Sequence, residues 1–319
     1  MPSGTINKII AVLRVLRMTI NAQIIYNSFR KELREDIYSL EQKYFCKKRL
    51  IKRQKKYILF HLIYCQLISS FSRNKLDKNQ IKRIIYFSSI APVLDDLQDE
   101  QGIFIEYADL ILLLEGKSHP KLSELENRLA SKYLTGSLKN LRPKVVDHLI
   151  LTAVQFLKVN HPSADNKSHK GALTALMYRQ LMGGLPDGEE AELIMKSGHL
   201  GQFIDDIFDY FEDRASNQTS LATAHKQVSF LKTAWFKEKE QFLRALAVYL
   251  EKKEQNKPIS YYSFAFLLHL PYVAIQQYEK FTDKNGEMKR QLSRKSYICD
   301  MEKPANQLRW LHSFMVSKI

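Results

Sequence analysis

Apolar residues recur at spacings of three and four along almost the whole of this 319-residue chain. That spacing places them on one face of an α-helix, whereas strands would need apolar residues at alternate positions. Glycine and proline, which mark the many turns of sheet folds, number only 11 and 9. The sequence therefore predicts an all-α fold. The predicted helices cover 6–38, 41–71, 78–90, 91–115, 121–134, 142–159, 168–183, 188–213, 222–255, 258–279 and 303–317.

Turn-forming residues gather in short clusters between these segments. The clusters are EGKSHP at 115–120, NHPSADNKSH at 160–169, GGLPDG at 183–188, ASNQTS at 215–220 and TDKNG at 282–286. The sequence contains no low-complexity linker, no repeat of fixed period and no glycine-rich phosphate loop. We therefore expect a single helical domain over 1–319, with a basic helical region at 1–56.

Positive charge is concentrated near the N-terminus. Residues 1–56 hold fourteen Lys and Arg against four Asp and Glu, a net charge of +10 in a chain of +15. Such a block attracts a membrane, a nucleic acid or a diphosphate, or it is a solvated helix face. Nucleic acid is not expected, because no helix-turn-helix, zinc or RNP-like motif is present. We expect peripheral membrane contact through 1–56, and a cytoplasmic protein at the membrane surface.

Two apolar stretches need separate interpretation. The first, 9–20, has Arg14 and Arg17 among its apolar residues, and it fits a transit peptide, an interfacial helix or, as we favour, the first helix of the domain. The second, 258–278, has no formal charge, but polar residues interrupt it. We interpret it as a buried, aromatic-rich core helix bent at Pro271, with a membrane span as the alternative. Three cysteines without a close pair favour a reducing compartment.

Seven of the fifteen aspartates lie in two short windows. Each window contains the pattern DDxxD, formed by Asp95, Asp96 and Asp99, and by Asp205, Asp206, Asp209 and Asp213. Residues three and four apart share a helix face, so each window places carboxylates side by side, where they repel each other. Oxygen ligands without cysteine or convergent histidine favour Mg²⁺ as the compensating cation. Two solvated acidic faces are the alternative.

Paired DDxxD motifs in an all-α chain resemble those of the class I terpenoid synthases, which include trans-prenyl diphosphate synthases. The second window is similar to the prenyl synthase pattern G-x-x-x-Q-x-x-D-D-x-x-D, which begins here at Gly198 and includes Gln202. Its aspartates also have the i, i+4, i+8 spacing of the terpene cyclase metal triad. SHKGALTAL at 168–176 is similar to the lysine-bearing helix of the family, and the resemblance covers about 85–225.

The resemblance implies a helical bundle of the class I terpenoid synthase type. It implies that catalysis depends on Asp95, Asp96, Asp99, Asp205, Asp206 and Asp209, and that three Mg²⁺ ions are held by Asp95, Asp96, Asp99, Asp205, Asp209 and Asp213. Lys170, Gln202 and Arg214 would contact the diphosphate. The reaction implied is ionisation of an allylic prenyl diphosphate, followed by cyclisation or elimination and release of pyrophosphate. A homodimer is also expected.

Chain-elongating members of this family bind isopentenyl diphosphate as a second substrate, and their residues for it are poorly matched. Lys47-Lys48-Arg49-Leu50 lacks the glycines and proline of the family's GGKRLRP-like element. Gln101-Gly102-Ile103-Phe104 stands where an arginine pair follows the first motif. Cyclisation or elimination of one substrate is therefore favoured, with a trans-prenyl diphosphate synthase as the first alternative. A non-catalytic membrane-surface or anion-binding helical protein is the second.

Several histidines and aromatic residues are weaker candidates. His169 adjoins Lys170 and is either a phosphate contact or a surface residue, whereas His199 is interpreted as structural. The aromatic residues of 261–266 either line a carbocation cavity through their π faces or belong to the core. A metal-dependent nucleotide pyrophosphohydrolase fits less well, because those helical enzymes use glutamate-rich ExxE motifs.

Overall fold

The described part of the protein is all-α. The computed structural model describes residues 2–44, 49–70, 75–101, 105–160, 169–253, 257–289 and 299–317, and their side chains over 4–36, 51–70, 75–94, 105–106, 108–159, 169–253, 258–289 and 299–317. In chain order the helices are α1 (Pro2–Tyr44), α2 (Arg49–Ser69), α3 (Lys78–Gln101), α4 (Tyr107–Leu114), α5 (Glu124–Leu138), α6 (Pro143–Asn160), α7 (Lys170–Leu181), α8 (Gly188–Ala215), α9 (Val228–Lys252), α10 (Lys257–Leu267), α11 (Leu270–Glu279) and α12 (Pro304–Val316). Within these residues there is no strand, and the predicted all-α class is confirmed.

Local hydrogen bonds explain where several helices begin. Ser123 and Glu126 form a capping box at the start of α5, in which each side chain accepts the backbone N–H of the other residue. The helix predicted at 222–255 begins only at Val228. Before it, the Ser220 and Thr223 hydroxyls accept each other's backbone N–H and hold a turn. The turn chemistry of serine and threonine therefore overrides the apolar periodicity there.

The chain divides into two compact units, each built from separate stretches. Unit A contains Met1–Arg14, Asn166–Ala175 and Gly188–Ile319, and unit B contains Val15–Asp165 and Leu176–Asp187. Each unit has its own buried apolar residues. The single domain over 1–319 stays a prediction.

The core of unit B lies among α2, α3 and α5. Ile58 of α2 and Ile84 of α3 are completely buried. His61 is buried with them, stacked on the Tyr178 ring at a centroid distance of 3.9 Å, and its Nδ1 lies 3.3 Å from the Ser88 hydroxyl. Burial lowers the pKa of His61 from 6.5 to about 3, so this imidazole is neutral at neutral pH.

A polar network joins α1 to α3 and α5 within unit B. The Asp36 carboxylate accepts hydrogen bonds from Lys132 Nζ at 2.6 Å and from the Tyr133 hydroxyl at 2.8 Å. One turn earlier, Glu32 accepts a hydrogen bond from the Tyr86 hydroxyl at 2.9 Å. Because one carboxylate on α1 accepts from α5 and another from α3, this network fixes the rotation of α1 about its axis.

The core of unit A positions α8. Phe203 of α8 meets Trp235 of α9 edge to face, with ring centroids 5.6 Å apart. The buried Tyr278 of α11 donates its hydroxyl to the carbonyl oxygen of Ile207 at 2.7 Å. The second acidic window is on this helix. α8 is therefore held from two sides at the level of that window.

The uncharged segment near residue 270 forms two helices instead of one bent helix. α10 ends at Leu267 and α11 begins at Leu270, with Pro271 in its first turn, where a missing N–H costs no helical hydrogen bond. By length and composition, Gly4–Asp36 and Pro258–Glu279 could each cross a membrane. In the second stretch 61% of the apolar window is buried inside the protein, which is typical of a core helix.

Candidate functional site

The carboxylates of the second acidic window differ in exposure. Asp205, Asp209 and Asp213 follow one another at intervals of four along α8, so they form a stripe, which we call the α8 acidic stripe. Asp205 and Asp209 are exposed and Asp213 is half-buried. Asp206 is only 8% exposed. The DDxxD motif thus combines two residues that are exposed overall, of which Asp209 has a partly desolvated carboxylate, with one residue that is buried.

Both oxygens of the buried Asp206 carboxylate have hydrogen-bond donors. Gln202 Nε2 donates to Oδ1 at 2.7 Å, and the backbone N–H of Leu221 donates to Oδ2 at 2.7 Å. Burial raises the pKa of Asp206, while these hydrogen bonds and the nearby charges of His199 and Lys170 oppose the rise. Asp206 therefore ties the segment after α8 to the helix, in addition to any role toward a ligand.

Asp209 lies at the centre of the α8 acidic stripe. Desolvation, followed by repulsion from Asp205, Asp213 and the nearby Glu212, raises the pKa of Asp209 to about 7. The described neighbours that shift this pKa are all acidic. A carboxylate in this position carries only part of its charge at neutral pH and would regain all of it beside a cation.

The N-terminal end of α7 packs directly on α8 through two glycines. A Cβ atom added to Gly198 would overlap the carbonyl oxygen of Gly171 and the Cβ of Ala175. A Cβ added to Gly171 would overlap the carbonyl oxygen of Gly198 and lie 2.7 Å from the Cβ of Gln202. The glycine that opens the G-x-x-x-Q-x-x-D-D pattern is therefore the residue that lets the two backbones touch.

This contact brings together residues from two predicted motifs. Lys170 is the first residue of α7 and precedes Gly171, which lies beside Gln202. The charge of Lys170 is close enough to lower the pKa of Asp206. The structure thus assembles Lys170, Gln202 and Asp206 at the start of α7, where a helix N-terminus also favours anions.

Arg214 already has several partners at the C-terminal end of α8. Its Nη1 donates to the carbonyl oxygen of Lys226 at 2.8 Å and to the Tyr210 hydroxyl at 3.1 Å, and its Nη2 lies 3.2 Å from Glu287. To contact a diphosphate, this guanidinium would have to give up one of these partners for a phosphate oxygen. Its role toward the diphosphate stays a prediction.

The first acidic motif is on the last two turns of α3, in unit B. The side chains of Asp95, Asp96 and Asp99 lie outside the described part of the protein. So do the side chains of Lys47-Lys48-Arg49-Leu50 and Gln101-Gly102-Ile103-Phe104. That the two motifs share one metal cluster therefore stays a prediction. Among the side chains that are described, no three of His, Cys, Asp or Glu are grouped so as to hold a metal ion.

A cleft of about 550 Å³ opens in unit A between the N-terminal half of α8 and α9. Its lining combines apolar, acidic and imidazole groups: His169, Ala172, Glu192, Met195, Lys196, His199, Leu200, Glu238, Gln241 and Phe242. His199 Nε2 lies 3.8 Å from Glu238 Oε2. His199 is also seven residues before Asp206, so the cleft and this carboxylate share a face of α8.

The sequence led to separate interpretations of His169 and His199 and did not predict that both line one cleft. The helical spacing of Glu238, Gln241 and Phe242 does not predict the cleft by itself, because their partners on α8 depend on how the helices pack.

When the chain was compared with protein-family models, curated proteins and solved structures, it matched none of them.

Proposed function

We propose that this chain is a Mg²⁺-dependent enzyme of the class I terpenoid synthase type. It would ionise an allylic prenyl diphosphate, convert the cation by cyclisation or elimination, and release pyrophosphate. The observation that supports this best is the placement of Lys170 and Gln202 beside Asp206, next to the α8 acidic stripe. A cation and an amide next to several carboxylates are the groups that a metal–diphosphate complex needs.

The donor set fits Mg²⁺. Asp205, Asp209 and Asp213 offer only oxygen ligands, and the pKa of Asp209 is raised to about 7 by desolvation and by its acidic neighbours, which is negative charge that a bound cation would compensate. Mg²⁺ is usually bound through one or two carboxylates together with substrate phosphates, so the proposal requires no complete cage of protein ligands. When bound, Mg²⁺ supplies charge that stabilises the diphosphate as a leaving group.

The residues at the start of α7 would act on the leaving group. Ionisation breaks the bond between the allylic carbon and the diphosphate oxygen, and the electron pair leaves with the diphosphate. The Lys170 ammonium, at a helix N-terminus, would hold that negative charge. Gln202 would keep Asp206 oriented through its amide. The allylic cation, with or without closing a ring, would then lose a proton to the released pyrophosphate and give a hydrocarbon, or be captured by water and give an alcohol and a proton.

One substrate is favoured over two for an electrostatic reason. Two diphosphates bound side by side repel each other and need many cations around them. Arg214, the cation after the second motif, is already paired with Glu287. The proposed reaction therefore needs no isopentenyl diphosphate.

Product analysis tests this proposal. The full chain is incubated with allylic prenyl diphosphates of several lengths, with and without Mg²⁺ and isopentenyl diphosphate, and pyrophosphate and organic products are measured. We expect Mg²⁺-dependent release of pyrophosphate and a hydrocarbon or alcohol from one substrate, reduced about a hundredfold or more in Asp209→Asn. Asp147→Asn, which changes an exposed carboxylate of α6, serves as the matched control.

Two outcomes would contradict the proposal. A longer prenyl diphosphate that forms only when isopentenyl diphosphate is added would establish the chain-elongating reaction instead. No turnover of any prenyl diphosphate by the folded, Mg²⁺-loaded chain would exclude both reactions and favour the non-catalytic alternative.

A further inference from the structure

Helix α1 has two apolar faces, and only one of them is buried. Its inner face carries Ala11, Val15, Met18 and Ala22, all at most 9% exposed. On the opposite side a second apolar row, which we call the outer α1 stripe, is 39–61% exposed. It consists of Ile6, Ile9, Ile10, Leu13, Leu16, Ile20 and Ile24. Their spacing of mostly three and four residues keeps them on one side of the helix over about 27 Å.

The outer α1 stripe is a concentration of apolar surface and not a scatter of single residues. Of the thirteen large apolar side chains that are exposed in the described part of the chain, seven belong to this stripe. Isolated exposed apolar residues are normal on protein surfaces, whereas contiguous ones mark sites of interaction.

The charges along α1 favour an anionic partner. No Asp or Glu precedes Glu32. Arg17 is exposed within the length of the stripe, and Arg30, Lys31 and Arg34 are exposed just beyond its last residue. A second copy of the chain on this face would bring two segments of +10 together, which repel, whereas anionic lipid headgroups attract them.

The anchoring of α1 favours a helix that lies along a membrane instead of crossing it. Lys8 Nζ donates to the carbonyl oxygens of Phe314 and Ser317, at 3.1 and 2.6 Å, and Arg14 donates to the Ser260 hydroxyl at 3.1 Å. A spanning helix would have to give up these bonds and the packing of its inner face. With one face held by protein, only the outer face is available to lipid.

We propose that the outer α1 stripe is a membrane-docking surface that inserts into the interface of an anionic lipid layer. The seven apolar side chains enter the headgroup boundary, and the exposed Arg and Lys side chains contact lipid phosphates. This narrows the membrane contact expected of residues 1–56 to one face of one helix. It does not depend on the proposed catalytic activity.

Vesicle co-sedimentation of the full chain tests the docking surface. We expect binding to vesicles of phosphatidylcholine with phosphatidylserine, weaker binding at high salt, and little binding to phosphatidylcholine alone. The variant Ile9→Gln/Leu13→Gln/Ile20→Gln should reduce binding about tenfold or more, since it removes apolar surface from the stripe. Arg17→Gln/Lys31→Gln should reduce binding to the anionic vesicles only.

The matched control is Phe230→Gln/Val248→Gln/Leu308→Gln, which removes apolar side chains that are 53–65% exposed elsewhere. We expect it to bind like the original chain. Equal loss in the control and stripe variants would overturn the proposal, and so would equal binding to neutral and anionic vesicles. A dimer in sedimentation velocity that the stripe variant abolishes, without vesicle binding, would identify a second copy as the occupant and overturn it as well.

Discussion

Gly171 of α7 and Gly198 of α8 are in backbone contact, and neither has room for a methyl group. This contact sets the distance between Lys170, one residue before Gly171, and Gln202, four residues after Gly198. Side chains keep the axes of packed helices about 8–10 Å apart, and glycines allow the two backbones to come closer. The candidate site depends on two residues that carry no functional group.

Alanine at Gly198 should therefore separate the helices. We expect Gly198→Ala to lower the free energy of unfolding by about 1–3 kcal/mol, because the methyl group overlaps Gly171 and Ala175. Gly201→Ala, on the same helix with open space around its Cβ position, should instead raise it by about 0.5–1 kcal/mol. Urea unfolding measures both changes, and equal effects of the two variants would contradict the glycine contact.

Asp209 should be destabilising when no metal is bound. Replacing it by Asn ends its repulsion with the carboxylates at i−4 and i+4, so above the Asp209 pKa of about 7, where this carboxylate is ionised, Asp209→Asn should stabilise the metal-free protein by about 0.5–1 kcal/mol. Mg²⁺ should raise the melting temperature of the original chain and not that of Asp209→Asn. Asp147→Asn, in α6, should change neither the stability of the metal-free protein nor the rise in melting temperature that Mg²⁺ causes. A full Mg²⁺ response in Asp209→Asn would exclude this carboxylate as a ligand.

Asp206 should behave in the opposite way. Asp206→Ala leaves the Leu221 N–H and the Gln202 amide without their acceptor, which should lower the free energy of unfolding by about 1–3 kcal/mol. Hydrogen exchange at Leu221 should accelerate, because its amide loses its partner. If Asp206→Ala were as stable as Asp209→Asn, the anchoring role of Asp206 would be wrong.

His61 predicts an acid-sensitive stability. Burial lowers the pKa of His61 from 6.5 to about 3, so between these values the unfolded chain binds a proton that the folded chain does not. The contribution of His61 to the free energy of unfolding is complete above pH 6.5 and decreases as the pH falls toward 3. At about pH 4 the loss is on the order of 3 kcal/mol. His61→Phe, which keeps an aromatic ring against Tyr178, should flatten this limb of the stability curve. An unchanged slope in His61→Phe would show that His61 is not its source.

The sequence predicted the helices because apolar periodicity is a local property, and it predicted that Asp205, Asp209 and Asp213 share one face of α8 because DDxxD spacing is local too. It did not predict that Asp205 and Asp209 are exposed. Nor did it predict that Asp206 is buried and accepts the Leu221 N–H, since that hydrogen bond depends on the turn made by Ser220 and Thr223. The sequence also did not predict that His199 pairs with Glu238. This pairing requires the packing of α8 on α9, which no single window of sequence contains.

The hydrogen bonds of Lys8 have a consequence for the order of assembly. Lys8 and its acceptor Phe314 are 306 positions apart, so a ribosome must synthesise nearly everything between them before this ammonium finds its carbonyl. Contacts of such large sequence separation form late and slow the overall rate. During synthesis Lys8 therefore lacks these acceptors until the end of unit A is made, and the unit is complete only when its N-terminal residues contact its C-terminal residues.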